Sequence, residues 1–236
     1  MRILRHTSTI WICTAAMLAG GAVASAQMPG MMGGGAAGQF KGIFNPVIGS
    51  GAVYQMTTAG KPPQSIGISV VGKEDVDGAP GYWLEIASQD PRSGGTVYIK
   101  MLVAVNGGST HQTKMIMQMA GRPPMEIDMP AGGMMPGGRQ APPQSADISK
   151  SAQDMGSETV TVPAGTFTCE HYRGTDGDDV WITSKVSPWG LVKMNSKNGT
   201  AMELEKVVTD AKDMITGTPT VMQMPNMGGL GAPSQH

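Results

Sequence analysis

Alternation with a period of two constrains this chain most. Val97, Ile99, Met101, Val103 and Val105 fall on every second position, and Ile66, Ile68 and Val70 do the same around Gly67 and Ser69. Tyr82, Leu84 and Ile86 alternate with Trp83, Glu85 and Ala87. Side chains at i and i+2 share a face only on a strand, so these runs are half-buried strands and not helices. Turn-forming residues separate them: 73–81, 90–95 and the Asn106-Gly107 pair, which favours a tight hairpin. Strands are expected next at 112–119 and near 125–129. Residues 159–195 repeat the arrangement as strand, Pro163-Ala164-Gly165 turn, strand, polar turn, strand, Pro188-Trp189-Gly190 corner and strand. A last strand, 200–208, follows the Asn198-Gly199 turn. Helix candidates are two and short, Gly38–Val47 (broken by Pro46) and Val208–Met214. About ten strands at this spacing predict a mainly β domain, an open antiparallel barrel or strongly curved sheet.

The first 26 residues read as an export signal. Arg2 and Arg5 precede an apolar stretch from Thr9 to Ala24, and Ala24-Ser25-Ala26 is an A-x-A cleavage site. The expected mature protein is periplasmic or secreted, begins at Gln27, and has no transmembrane segment. Loss of the two arginines takes the net charge from −1 to about −3. That balance gives no electrostatic basis for binding nucleic acid. Of the 2 cysteines only Cys169 survives cleavage, so no internal disulfide forms in the mature chain. Three Met-Gly-Pro-rich stretches interrupt the chain. Two, 27–39 and 216–236, are expected to be disordered, and the third forms a flexible loop at 129–146 within a single β-domain spanning 40–215.

One set of residues resembles a known group of proteins. Val162-Pro163-Ala164-Gly165-Thr166-Phe167-Thr168-Cys169, Asp179-Val180-Trp181-Ile182 and Val186-Ser187-Pro188-Trp189-Gly190-Leu191-Val192-Lys193 are similar to the periplasmic lipoprotein-localisation-factor (LolA/LolB-like) superfamily of open β-barrels, and most of all to its uncharacterised bacterial members. Looser echoes lie in 81–85 and 100–103. The resemblance implies a curved sheet with a concave apolar surface that cradles acyl chains.

Methionine is the compositional outlier, at 21 residues. Met115, Met117 and Met119 share one strand face and read first as a core stripe. Together with Met101, Trp83, Trp181 and Trp189 they are also the candidate wall for a lipid or other hydrophobic ligand, because thioethers repack around varied shapes and indoles bring large apolar area. The alternative is a soft-metal site. Met222, Met224 and Met227 with His236 offer thioether and imidazole donors of the kind that select Cu(I).

Catalytic signatures are missing. The mature chain holds only His111, His171 and His236, and neither G-x-S-x-G nor H-E-x-x-H occurs. Cys169 and His171 are the one local nucleophile–base pairing, and a buried thiol beside a packed imidazole is the preferred reading. Asp176, Asp178 and Asp179 carry clustered carboxylates without the distal glutamate of a calcium loop, so they read as a hairpin turn. Glu203 and Glu205 mark the solvent face of the last strand. No motif requires a cofactor. The sequence therefore predicts a non-enzymatic envelope domain that binds a hydrophobic ligand or a cell-envelope protein, with a ligand-free structural role as a further alternative.

Overall fold

The computed structural model describes residues 44–90, 94–106, 109–128, 134–135, 139–140 and 152–222. Within them the chain forms strands β1 (Gly51–Thr58), β2 (Gln64–Val76), β3 (Ala79–Gln89), β4 (Thr96–Asn106), β5 (Ser109–Met119), β6 (Met125–Asp128), β7 (Met134–Met135), β8 (Arg139–Gln140), β9 (Ala152–Val162), β10 (Gly165–Gly174), β11 (Asp179–Ile182), β12 (Leu191–Asn195), β13 (Thr200–Val208) and β14 (Thr220–Met222). Twelve of these make one sheet in the order β14-β6-β5-β4-β3-β2-β1-β13-β12-β11-β10-β9, while β7 and β8 pair only with each other. All neighbours are antiparallel except β14, which lies parallel to β6. The fold is mainly β, as the alternation predicts, and the sheet is not closed, since β14 and β9 are its two edges.

The topology is two meanders joined at a seam. From β1 the chain walks outward through β6. It then crosses to the far edge and walks back from β9 to β13, which pairs with β1. The sheet rolls: the amide of Ala164, in the β9–β10 turn, donates to the Leu204 carbonyl of β13, three positions away from β10. Register explains why the rolled interior is apolar. Ile86 stands opposite both Ile68 and Ile99, Leu84 opposite Val70 and Met101, and Met101 opposite Met115. Across the seam Tyr54 faces Leu204 and Met56 faces Met202, which in turn faces Met194. These side chains belong to one continuous core. Each such large apolar side chain contributes about 1.5–3 kcal/mol by leaving water.

Two expectations are corrected. The segment 73–81 is not a broad turn: β2 and β3 run through it, and the reversal is confined to Asp77-Gly78, both at positive φ (53° and 81°). That is the pair of left-handed positions a two-residue hairpin loop needs. Nor is Val208–Met214 a helix. After β13, residues 209–219 form an extended strap that crosses the outer face of the first meander and delivers β14 to β6. Its amides bond to side chains and carbonyls of the sheet: Ala211 to the Gly49 carbonyl, Met214 and Ile215 to Glu85, and Thr216 to the Gln118 side chain. The domain end expected at 215 therefore falls inside the strap. The other helix candidate lies mostly outside the described residues, and its described part, 44–47, is not helical.

Edge strand β9 is long and exposed, and its ladder is interrupted. Asp154 and Gly156 stand opposite Tyr172 and His171, leaving Met155 as the bulged residue, with Gly156 at φ 90°. Such a bulge twists an edge away from pairing with other chains.

Candidate functional site

The corner after β11, residues 183–190, forms one wall of an open cleft. Thr183 donates to the Gly190 carbonyl and Gly190 to that of Val186, tying 183–190 into a compact loop in which Val186 is fully buried. The Ser187–Pro188 peptide in it is cis. Residues 44–47 are stitched to this loop: the Asn45 amide donates to the Pro188 carbonyl (2.8 Å), the Val47 amide to Ser187 Oγ (3.3 Å), and Ser187 Oγ to the Asn45 carbonyl (3.0 Å). The stitching holds the Phe44 ring edge-on to Tyr82 (6.1 Å, 80°) and tilted against Trp189 (6.3 Å). Beside Phe44 lies an open cleft of about 630 Å³. Phe44 contributes apolar surface to it, above the buried Cys169 and Ile182; Ser157, Thr168 and Glu170 contribute hydroxyls and a carboxylate. The Glu170 carboxylate accepts a hydrogen bond from Tyr172 Oη (3.0 Å).

The chemistry of Cys169 follows from its place. Its side chain is buried, and burial, assisted by the negative charge of Glu158, pushes the thiol up to about 11. A nucleophile needs the opposite shift. Its weak donor is directed to the Phe167 carbonyl (3.9 Å). His171 is not available to it as a base, because both ring nitrogens meet carboxylates: Nε2 lies 2.9 Å from Asp179 Oδ1 and Nδ1 3.4 Å from Glu158 Oε2. The imidazole stacks on Trp181 (4.4 Å, 17°), whose indole donates to Glu158 Oε2 at 2.7 Å. The Arg173 guanidinium grips Asp179 (2.8 and 3.3 Å) and, with help from His171, holds that carboxyl below its usual range. Lys193 sits over the same indole and pairs with Glu203 (2.8 Å). This network, on the face of β9–β13 that carries Trp181, consumes the polar groups that sequence spacing left open.

The Asp176–Asp179 cluster is a turn, with its carboxylates used by the protein. Asp178 Oδ1 accepts from Ser196 Oγ (2.8 Å) and the Lys197 amide (2.9 Å), and Asp179 serves Arg173 and His171. Among the described residues no group of three His, Cys, Asp or Glu side chains is arranged to hold a metal ion.

The predicted ligand wall is only partly brought together. Met101, Met115, Met117 and Met119 share one face of β4 and β5, with Met101 directly opposite Met115. Met101 and Met115 are buried in the core, Met117 packs against it, and Met119 is exposed. Trp83 lies on the other face of the sheet, donating to Glu74 Oε2 (3.0 Å) with Lys100 over its ring. Trp181 stacks on His171, and Trp189 touches Phe44. Met222 ends β14; Met224, Met227 and His236 lie outside the described residues. The cleft residues Phe44, Ser157, Thr168 and Glu170 escaped sequence reasoning. The hydroxyl-rich alternation Ser157, Thr159, Thr161, set against the buried Val160 and Val162, was the available signal.

No family model matches the chain, and no curated protein does either. Among solved structures, it is similar to a chain described as a "putative lipoprotein" from Parabacteroides distasonis, at 12% identity and a TM-score of 0.34 over 70% of this chain and 97% of that one. The likeness is too distant to carry a conclusion about activity. No helix of the described residues is long and apolar enough to cross a membrane.

Proposed function

We propose that this protein is a non-enzymatic domain of the bacterial envelope, exported across the inner membrane, that holds a hydrophobic or amphipathic small molecule in the cleft between residues 44–45, β9, β10 and the 182–184 corner. The observation that carries this reading is the cleft beside Phe44, about 630 Å³ in volume, within the usual range for small-molecule sites. The Phe44 ring suits a hydrocarbon portion; the hydroxyls of Ser157 and Thr168 and the Glu170 carboxylate suit a polar end. The methionine stripe supports the site from within the core and does not line it. A protonated, buried thiol and a histidine held between two carboxylates favour binding over catalysis.

Native mass spectrometry of the mature protein, isolated gently from its own envelope fraction, tests this. An adduct of small-molecule mass that is lost on mild activation is expected. Thr168→Trp should fill the cleft from an exposed strand position and abolish the adduct while the far-ultraviolet circular dichroism stays unchanged. A clean apo mass for the wild-type protein, or an adduct that survives in the folded variant, rejects the assignment.

A further inference from the structure

Alternation along β3 points Glu85 away from the core, yet it is only 4% exposed because the 209–219 strap lies over it. The strap is fastened there. The Met214 amide donates to both oxygens of Glu85 (3.2 and 3.0 Å), and the Ile215 amide donates to Oε2 (3.3 Å). A second carboxylate, Asp213, arrives with the strap: its Oδ1 accepts the Ile215 amide (3.0 Å) and its Oδ2 accepts Lys100 Nζ (2.6 Å). The Ile215 amide reaches both acids, which sets the two carboxyl groups side by side, where two negative charges oppose each other unless one group takes up a proton. From β4, Lys100 is the charged residue opposite Glu85; from β2 the opposite residue is Ser69; from the strap it is Asp213. The Lys100 ammonium is taken by Asp213, which leaves the buried Glu85 without an ion-pair partner among the described residues.

We propose that Glu85 and Asp213 form a proton-operated latch for the C-terminal strap: a proton on Glu85, set beside the Asp213 carboxyl group, holds 209–219 against the sheet, and its loss loosens the strap and the β14 strand beyond it. Burial, opposed by the Met214 amide and reinforced by Asp213, moves the Glu85 carboxyl from 4.5 to about 7. A carboxyl that binds its proton more tightly when latched stabilises the latched form at low pH. That contribution is fully present below about 4.5 and is lost as pH rises through about 7. Between roughly pH 6 and pH 8.5 the open fraction of the strap should rise about tenfold.

Hydrogen exchange of the full mature chain, followed by mass spectrometry and corrected for the intrinsic pH dependence of amide exchange, reads the opening of 209–219 directly. The wild-type protein should show the tenfold rise, and Glu85→Gln, which keeps an acceptor for the strap amides but cannot ionise, should show a flat profile. Asp213→Asn removes the neighbouring charge and should give a smaller rise than wild type, which provides a second arm should Glu85→Gln fail to fold. A pH-independent wild-type strap, or a full-sized rise in either folded variant, overturns the latch.

Discussion

Tyr54 illustrates how a single side chain ties distant parts of this sheet together. Its ring is 1% exposed at the seam, and its hydroxyl donates to the Leu191 carbonyl at 3.1 Å, joining β1 to β12 across the intervening β13. Burial alone raises the phenol far above its ordinary value, so it stays a donor at every pH the fold survives. Tyr54→Phe keeps the packing and strands the carbonyl. The expected loss is about 1–2 kcal/mol, seen as a lower urea midpoint with an unchanged slope. Cys169 makes a related point. Its alternation with Phe167 and His171 announces a buried thiol, which is what the fold contains. The two carboxylates that occupy His171 come from β9 and β11 and could not be assigned from local spacing.

At the scale of elements, apolar alternation located most strands but undercounted their length. Residues 72–76, Gly-Lys-Glu-Asp-Val, carry too few apolar side chains to signal a strand, yet they pair in register with 79–83. Their backbone bonds and the Asp77-Gly78 loop hold them, aided by Asp75 Oδ1 accepting the Gly78 amide (2.9 Å). Gly78 has open space around it, so Gly78→Ala should act through φ alone and cost about 1–2 kcal/mol in thermal or urea unfolding. The strap was misread for a complementary reason. Val208–Met214 has residues compatible with a helical turn, but the acceptors that win its amides lie more than 100 positions away, the Gly49 carbonyl for Ala211 and Glu85 on β3 for Met214. The cleft was hidden likewise, since it exists only where 44–45 meets β9, β10 and the 183–190 corner.

For the whole molecule, the predicted class of a curved, mainly β sheet was legible because it rests on periodicity, which is local. The order of strands was not, because it depends on which edges meet. The 12-stranded sheet is held at its middle by the pairing of β1 with β13, in a register that runs from Gly51 opposite Val208 to Thr58 opposite Thr200. A chain ending after Asn195 would lack β13, the strap and β14 together. It would keep β1–β6 and β9–β12 yet leave the side of β1 that β13 covers unpaired. We expect that truncation to self-associate, visible as a shift to larger species in size-exclusion chromatography, where the full chain elutes discretely.

The seam also sets a timetable. A chain made from its N-terminus completes β1 through β6 well before Thr200–Val208 arrives, so one side of β1 waits unpaired while the rest of the chain follows. Contacts of this sequence separation form slowly, because a large loop must be closed before any ladder bond rewards it. The interval is the molecule's period of greatest exposure to wrong partners. A protein that shields that one strand edge until β13 is made would therefore protect this fold more effectively than one that stabilises the finished sheet.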